Sequence, residues 1–234
     1  MPEPTDDGDE DTLETTVESA EVVADAVVDL VGALAYGELS AFDHLADDAR
    51  MAPTLMARAQ MSAMAAVEYG HYEQLADRLA KLGASPEEAM APFIAALETY
   101  HSLTEPSTWL EGVVKAYVGD GLAADFYREV ATCVDAETEE LIRAVVVDAG
   151  RAEFAVREVQ TALAAQPAVA GRLALFARRL VGEAISQAQH VLADRDTLMA
   201  LLVDGTGDLA GVAALFSRIT DRHGERIAAL GLNP

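Results

Sequence analysis

Apolar residues recur every three or four positions along most of this chain, which is the spacing of one face of an α-helix. Strict alternation of apolar and polar residues, the pattern of a half-buried strand, is almost absent. The pattern therefore predicts an all-α protein. The predicted helices cover about residues 17–48, 53–82, 86–101, 107–131, 136–163, 168–203 and 207–230.

Proline and glycine mark the ends of these segments. Pro53, Pro86 and Pro167 stand where a helix can begin, and Gly83 follows a helix as a stop signal. Residues 204–207, Asp-Gly-Thr-Gly, break the chain before the last helix. Long helices with short joints favour an antiparallel bundle, and no linker divides it.

Four of the helices each carry one acid where the apolar stripe requires a hydrophobic side chain. A buried carboxylate is unfavourable by several kcal/mol unless it is paired or bound to a metal. Each acid lies about 14 to 16 residues from the joint of its helical hairpin. At a rise of ~1.5 Å per residue, all four reach one level of the bundle. These acids are Glu38, Glu68, Asp120 and Asp148.

The second of these acids is followed three residues later by a histidine, in the sequence Glu68-Tyr-Gly-His71. A di-metal carboxylate site in a four-helix bundle takes one acid from each of two helices and Glu-x-x-His from each of the other two. Carboxylates with a few imidazoles suit iron or manganese. Glu-x-x-His alone has little specificity, but within a four-acid layer it indicates a metal centre.

Several segments resemble the actinobacterial ferritin-like proteins that are similar to the tRNA 2-methylthio-isopentenyladenosine hydroxylase, the MiaE-like family. The resemblance runs from about residue 24 to 234 and implies a ferritin-like four-helix bundle with extra C-terminal helices. It also implies a non-haem centre of two iron ions with dioxygen as co-substrate. The segments that carry it are Ala35-Tyr-Gly-Glu-Leu-Ser-Ala-Phe42, Glu68-Tyr-Gly-His-Tyr-Glu73, Lys115-Ala-Tyr-Val-Gly-Asp-Gly121 through Asp125-Phe-Tyr127, and Gly182-Glu-Ala-Ile-Ser-Gln-Ala-Gln189.

The resemblance also implies a set of ligands and catalytic residues. Glu38 is then a terminal ligand of one iron, Glu68 bridges the metals or binds one of them, and His71 completes that side. Asp120 replaces the glutamate of the family on the next long helix. Asp125 is the alternative there, and the depth in the bundle favours Asp120.

The fourth motif departs from the family, because Asp148-Ala-Gly-Arg151 stands where the resemblance implies a second acid-x-x-His pair. A guanidinium has no lone pair to offer, so Arg151 cannot be a ligand. We expect Arg151 to pair with Asp148 and with Glu38 or Glu68, in place of the second metal. The alternative is that Arg151 extends outward, so the expected iron content is two ions, one or none.

Two functions of different classes follow from these patterns. The leading hypothesis is a di-iron-type oxygenase or hydroxylase related to the tRNA-modifying enzyme. The rival is a ferritin-like bundle with a degenerate metal site that serves as a structural or binding protein. No glycine-rich phosphate loop, nucleophile elbow or zinc spacing occurs in the sequence, which disfavours hydrolases, kinases and nicotinamide enzymes.

Charge limits the choice of partners. Acidic residues outnumber basic ones by 40 to 16, for a net charge of −24. Binding nucleic acid through its phosphates needs basic patches, so a tRNA substrate is disfavoured and a small apolar substrate is the alternative. The apolar residues of the last two helices exceed what a four-helix core requires, and by analogy with the fold class we expect a homodimer.

The N-terminal segment is the most acidic part of the chain, with ten acids and no basic residue in the first 25 positions. Its composition predicts a disordered tail over residues 1–15 and a single domain over residues 16–234. An acidic N-terminus does not resemble a signal peptide, and no apolar run reaches the ~18 residues of a membrane span. A cytoplasmic protein without membrane contact is expected.

Overall fold

The computed structural model describes residues 8–145 and 151–233, without the side chains of residues 8–22, 132 and 151. In this part of the chain there is no strand, which confirms the predicted all-α class. Short 3₁₀ turns join several of the helices. The helices are α1 (Gly8–Asp48), α2 (Leu55–Lys81), α3 (Pro86–Met90), α4 (Ile94–Leu103), α5 (Trp109–Val130), α6 (Ala136–Val145), α7 (Arg151–Ala165), α8 (Ala170–Asp194), α9 (Asp196–Thr206) and α10 (Leu209–Ala229).

Two predicted helices are interrupted. The segment predicted as 86–101 contains a 3₁₀ turn at Ala91–Phe93, because Pro92 has no N–H to donate within a helix. The segment predicted as 168–203 is broken at Arg195, whose backbone leaves the helical region with φ −130° and ψ 88°. Arg195 and Thr197 both donate hydrogen bonds to Asp29 of α1. These two hydrogen bonds connect the start of the next helix to α1.

The first helix begins at Gly8, earlier than the predicted start near residue 17. Acidic residues near a helix N-terminus are stabilised by the helix dipole, and the segment GDEDTLE supplies them. Residues 1–7 lie outside the described residues, so the disorder of the tail and the domain boundary stay predictions.

Side-chain caps start the helices that carry the central residues. The hydroxyl of Thr54 accepts a hydrogen bond from the Ala57 N–H at the start of α2. At the start of α5, the hydroxyl of Thr108 accepts one from the Glu111 N–H. Such caps satisfy N–H groups that have no partner within the helix. They mark where α2 and α5 begin.

The hairpin of α1 and α2 forms one side of the bundle, with α5 and α8 across from it. The turn between α1 and α2 is short, so the two helices run antiparallel and the middle of α1 lies against the middle of α2. Helix α5 packs on α7, α8 and α10, while α9 packs on α1. Among the described residues, no single helix is long and apolar enough to cross a membrane; α9 and α10 together, bent by 88°, meet that length and composition.

Candidate metal centre

The middle of the α1–α2 hairpin holds a buried group of three polar side chains: Glu38 from α1, and Glu68 and His71 from α2. Their exposed fractions are 6%, 6% and 8%. Each offers one ligand atom, and these atoms lie within 4.8 Å of one another. We call these three residues the triad. Each belongs to an otherwise apolar helical stripe, which is why its side chain points into the core.

Hydrogen bonds hold the triad together. The Nδ1 atom of His71 lies 3.3 Å from Oε2 of Glu38 and 3.2 Å from Oε2 of Glu68. From α5, the hydroxyl of Tyr127 donates to Oε1 of Glu38 at 2.9 Å. The sequence places Tyr127 on the apolar stripe of its helix, but nothing in that position predicts its contact with a carboxylate. The triad is therefore positioned by three helices.

Burial and mutual contact shift the acid–base properties of the triad. Burial raises the pKa of Glu38 to about 8; the hydrogen bond with His71 lowers this pKa, and the neighbouring Glu68 raises it. Burial lowers the pKa of His71, but the two carboxylates outweigh it and raise that pKa to about 9. Protons are thus held within the triad at neutral pH. A metal ion must displace them when it binds.

The donor set of the triad fits a first-row metal ion. Two carboxylate oxygens and one imidazole nitrogen converge from two helices, which is the mixture that iron and manganese accept. Three protein ligands leave further coordination positions for a substrate or another ligand. The three side chains of the triad therefore provide enough ligand atoms to bind one metal ion.

The two alternative acids of α5 lie in different surroundings. Asp120 lines the cavity beside the triad but does not belong to the group of converging ligand atoms. Asp125 is buried, and Arg128, Arg222 and Arg226 surround its carboxylate. Of the two, Asp120 is the one that faces the cavity. That Asp120 binds metal stays a prediction.

The fourth predicted motif lies outside the described residues. This holds for Asp148 and for the side chain of Arg151, the residue at which α7 begins. The ligand role of Asp148 and the pairing of Arg151 with the acid layer stay predictions.

The triad borders a cavity of about 350 Å³, a size typical of sites for small molecules. Glu38 and Glu68 line it, and α1, α4, α5, α8, α9 and α10 supply most of the wall. The wall is mainly aliphatic and aromatic, with residues such as Leu34, Leu97, Ala123, Phe126, Ile185 and Phe216. An apolar compound beside the triad would contact mainly aliphatic and aromatic side chains.

The fold and the triad define a ferritin-like helical bundle with a carboxylate–histidine cluster at its centre. A family described as "Ferritin-like domain, actinomycetes" matches residues 22–205. Because the match covers most of the chain, the protein belongs to this family. This confirms the resemblance to actinobacterial ferritin-like proteins, whereas the narrower relation to the tRNA hydroxylase stays a prediction. Comparison with curated proteins finds no match.

Proposed function

We propose that this protein is an iron-dependent hydroxylase of the ferritin-like class that acts on a small apolar substrate with dioxygen. The observation that carries the proposal is the buried triad at the wall of an apolar cavity. Buried carboxylates are unfavourable in a core unless they are paired, hydrogen-bonded or bound to a metal ion. Their position next to a cavity of ligand size supports chemistry on a bound molecule.

The residues of the chain have distinct tasks in this proposal. Glu38, Glu68 and His71 hold the metal, and iron bound there supplies the redox chemistry that activates dioxygen. Tyr127 fixes the orientation of the Glu38 carboxylate through its hydrogen bond. The apolar wall positions the substrate and excludes water from the triad.

Iron binding by purified protein tests the metal centre. We expect the wild-type chain, loaded anaerobically with ferrous iron and desalted, to retain one to two equivalents of iron. Glu68→Gln removes a charged ligand and should lose about tenfold or more in iron affinity, because neutral amides are weaker ligands for these ions. Elemental analysis and a competition titration with a chelator give the two quantities.

The control is Glu73→Gln on the same helix, since Glu73 is exposed and lies outside the triad. It should bind iron as the wild type does. Equal iron retention by the Glu68 and Glu73 variants would contradict the metal centre. Dioxygen uptake by the iron-loaded wild type, compared with the Glu68 variant, then tests the hydroxylase assignment separately.

A second candidate function is a bundle with a degenerate metal site that acts as a structural or binding protein. One observation favours it: His71 and Tyr127 already provide hydrogen-bond partners for both carboxylates of the triad. A satisfied buried network can stabilise a core without an ion. Wild-type protein that retains no iron in the experiment above would support this candidate.

A further inference from the structure

The cavity has a second polar region, formed by His44 and Asp48 of α1, His101 of α4 and Lys115 of α5. We call these four residues the Lys115 cluster. The exposed fraction of Lys115 is only 6%. Its Nζ atom lies 5.6 Å from the centre of the Tyr100 ring and donates one long hydrogen bond, 3.5 Å, to the carbonyl oxygen of His101.

The ammonium of Lys115 lacks a close counter-ion in the described part of the chain. There, the ion pairs with a carboxylate oxygen within 4.0 Å do not include Lys115, although Asp48 and Glu105 attract it electrostatically. Burial lowers the pKa of Lys115 to about 8, so at pH 7 it still carries its charge. A buried cation with one weak acceptor is unfavourable and is stabilised by any anion that can reach it.

A second donor lies beside Lys115. The ring of His101 stacks on that of His44, with centroids 3.8 Å apart and planes inclined by 14°. Its Nδ1 atom is buried and has no hydrogen-bond partner. Burial, together with Lys115, lowers the pKa of His101 to about 2, so the ring is neutral and can carry one N–H. The cluster therefore combines one cation, one carboxylate and one buried imidazole nitrogen that has no hydrogen-bond partner.

The distance between the Lys115 cluster and the triad follows from the register of two helices. Helices α1 and α5 run antiparallel here, because Glu38 contacts Tyr127 whereas Asp48 lies against Gly112. Ten residues of α1 separate Glu38 from Asp48, which corresponds to about 15 Å along the helix axis. The wall between these two levels is mainly apolar.

We propose that this cavity binds a straight-chain monocarboxylate, with its carboxylate group on Lys115 and His101 and its apolar chain directed toward the triad. A ligand with one negative charge is favoured over a phosphate monoester, because Asp48 already places a carboxylate in the cluster and a second ligand charge would add to that repulsion. At about 1.2 Å per bond, an extended chain of roughly twelve bonds spans the whole distance to the triad, and the chain of decanoate covers about three quarters of it. This ligand site depends on the cavity and the Lys115 cluster, and it does not require a bound metal.

Calorimetric titration of the metal-free, full-length protein with decanoate tests the proposal. The variant is Lys115→Met, which keeps the length of the side chain and removes its charge. Because a hydrogen bond to a charged group contributes about 1.5–3 kcal/mol, the affinity for decanoate should fall about ten- to a hundredfold. The matched control is Lys81→Met at the only other lysine of the chain, which is exposed and pairs with Glu137. This control should bind decanoate as the wild type does.

Two further ligands separate the head group from the chain. Wild-type protein should bind 1-decanol more weakly than decanoate, while Lys115→Met should show little difference between the two. Hexanoate should bind far more weakly than decanoate, because each methylene buried contributes about 0.8 kcal/mol, or about fourfold in affinity. Near-ultraviolet circular dichroism of each variant verifies that the core packing is retained.

The proposal is overturned by wild-type protein that does not bind decanoate, or by a correctly folded Lys115→Met variant that binds decanoate as tightly as the wild type. Equal affinity of the wild type for decanoate and decanol would likewise overturn the role of Lys115. Iron binding plays no part in these titrations, so failure of the metal centre would leave their outcome unchanged.

Discussion

At the scale of single residues, burial gives several titratable side chains acid–base properties far from those in water. His101 shows the largest effect among the histidines of the described chain, because it is buried, stacks on His44 and lies near the cation of Lys115. Each of these surroundings disfavours the protonated imidazole. The folded protein therefore keeps His101 neutral under conditions in which the unfolded chain would protonate it.

His101 should make the protein less stable at mildly acidic pH. Its pKa is about 2 in the folded state and about 6.5 in the unfolded state, so the unfolded chain binds the additional proton. The contribution to stability is complete above pH 6.5 and is lost as the pH falls. Between pH 7.5 and 5.5 the free energy of unfolding should fall by about 1.4 kcal/mol through this residue alone.

The substitution His101→Phe keeps an aromatic ring against His44 and removes the titration. Urea unfolding at pH 7.5, 6.5 and 5.5 should show a pH dependence shallower by that amount than in the wild type. The same exchange at the exposed His190 is the control and should leave the pH dependence unchanged. Parallel pH profiles of wild type and His101→Phe would contradict the expectation.

The sequence predicts the residues of the triad because each interrupts an apolar stripe with a polar group. Tyr127 and Lys115 could not be predicted in the same way. A tyrosine on a stripe is typical of plain core, and Lys115 lies off the stripe of α5. All six residues from Glu111 to Ala116 are buried, so this part of α5 is surrounded by other helices. A prediction based on a single apolar face therefore does not identify the contacts on its other faces.

At the scale of helices, α1 and α3 are in direct backbone contact at Gly32. A Cβ atom at this position would overlap the carbonyl oxygen of Ala89 in α3. The overlap is with the backbone, which cannot move aside as a flexible side chain can. Gly32 therefore sets the distance between α3 and the helix that carries Glu38.

Gly32→Ala should destabilise the protein although alanine favours helices. Inserting a methyl group into a well-packed contact is unfavourable by about 1–3 kcal/mol, which exceeds the gain in helix propensity of about 0.5–1 kcal/mol. Gly182→Ala in α8 is the control, because no atom lies within 4 Å of its added Cβ. The control should raise the midpoint of thermal unfolding, while Gly32→Ala lowers it. A stabilised Gly32→Ala variant would show that the two helices can separate freely.

The limits of helix prediction in this chain arise from long-range contacts. The positions of Thr54 and Thr108 as caps are local signals, and the predicted starts of α2 and α5 lie within two residues of the observed ones. The break at Arg195 is different, because it coincides with hydrogen bonds to Asp29, which is distant in the sequence. Local periodicity continues through Arg195 and therefore predicts an uninterrupted helix.

At the scale of the whole molecule, the excess of acidic residues means that most of the described arginines form ion pairs with carboxylates of the same chain. Arg172 binds Glu111, and Arg218 and Arg222 bind Glu129. These guanidinium groups are already paired within the chain. With a net charge of −24, the protein therefore has few unpaired cations that could bind an external anion.

A tRNA ligand is the partner to which this charge distribution is most opposed. The basic cluster in the sequence comprises Arg172, Arg178 and Arg179, with Arg157 nearby. Arg172 is paired with Glu111, and Arg178 donates to the carbonyl oxygen of Asn233. At most about three phosphate contacts remain, and long-range repulsion by the acidic surface acts against them.

We therefore expect no complex between this protein and bulk tRNA in an electrophoretic mobility shift assay, even at low ionic strength, where phosphate contacts are strongest. A complex that dissociates as salt is added would contradict this expectation and would restore tRNA as the substrate. In that case, reversing the charge of the exposed cluster with Arg178→Glu and Arg179→Glu should abolish the complex, whereas reversing the exposed Arg50 should not. Absence of any complex leaves the apolar cavity as the site that selects the substrate, because a small molecule enters it without approaching the acidic surface as a polyanion.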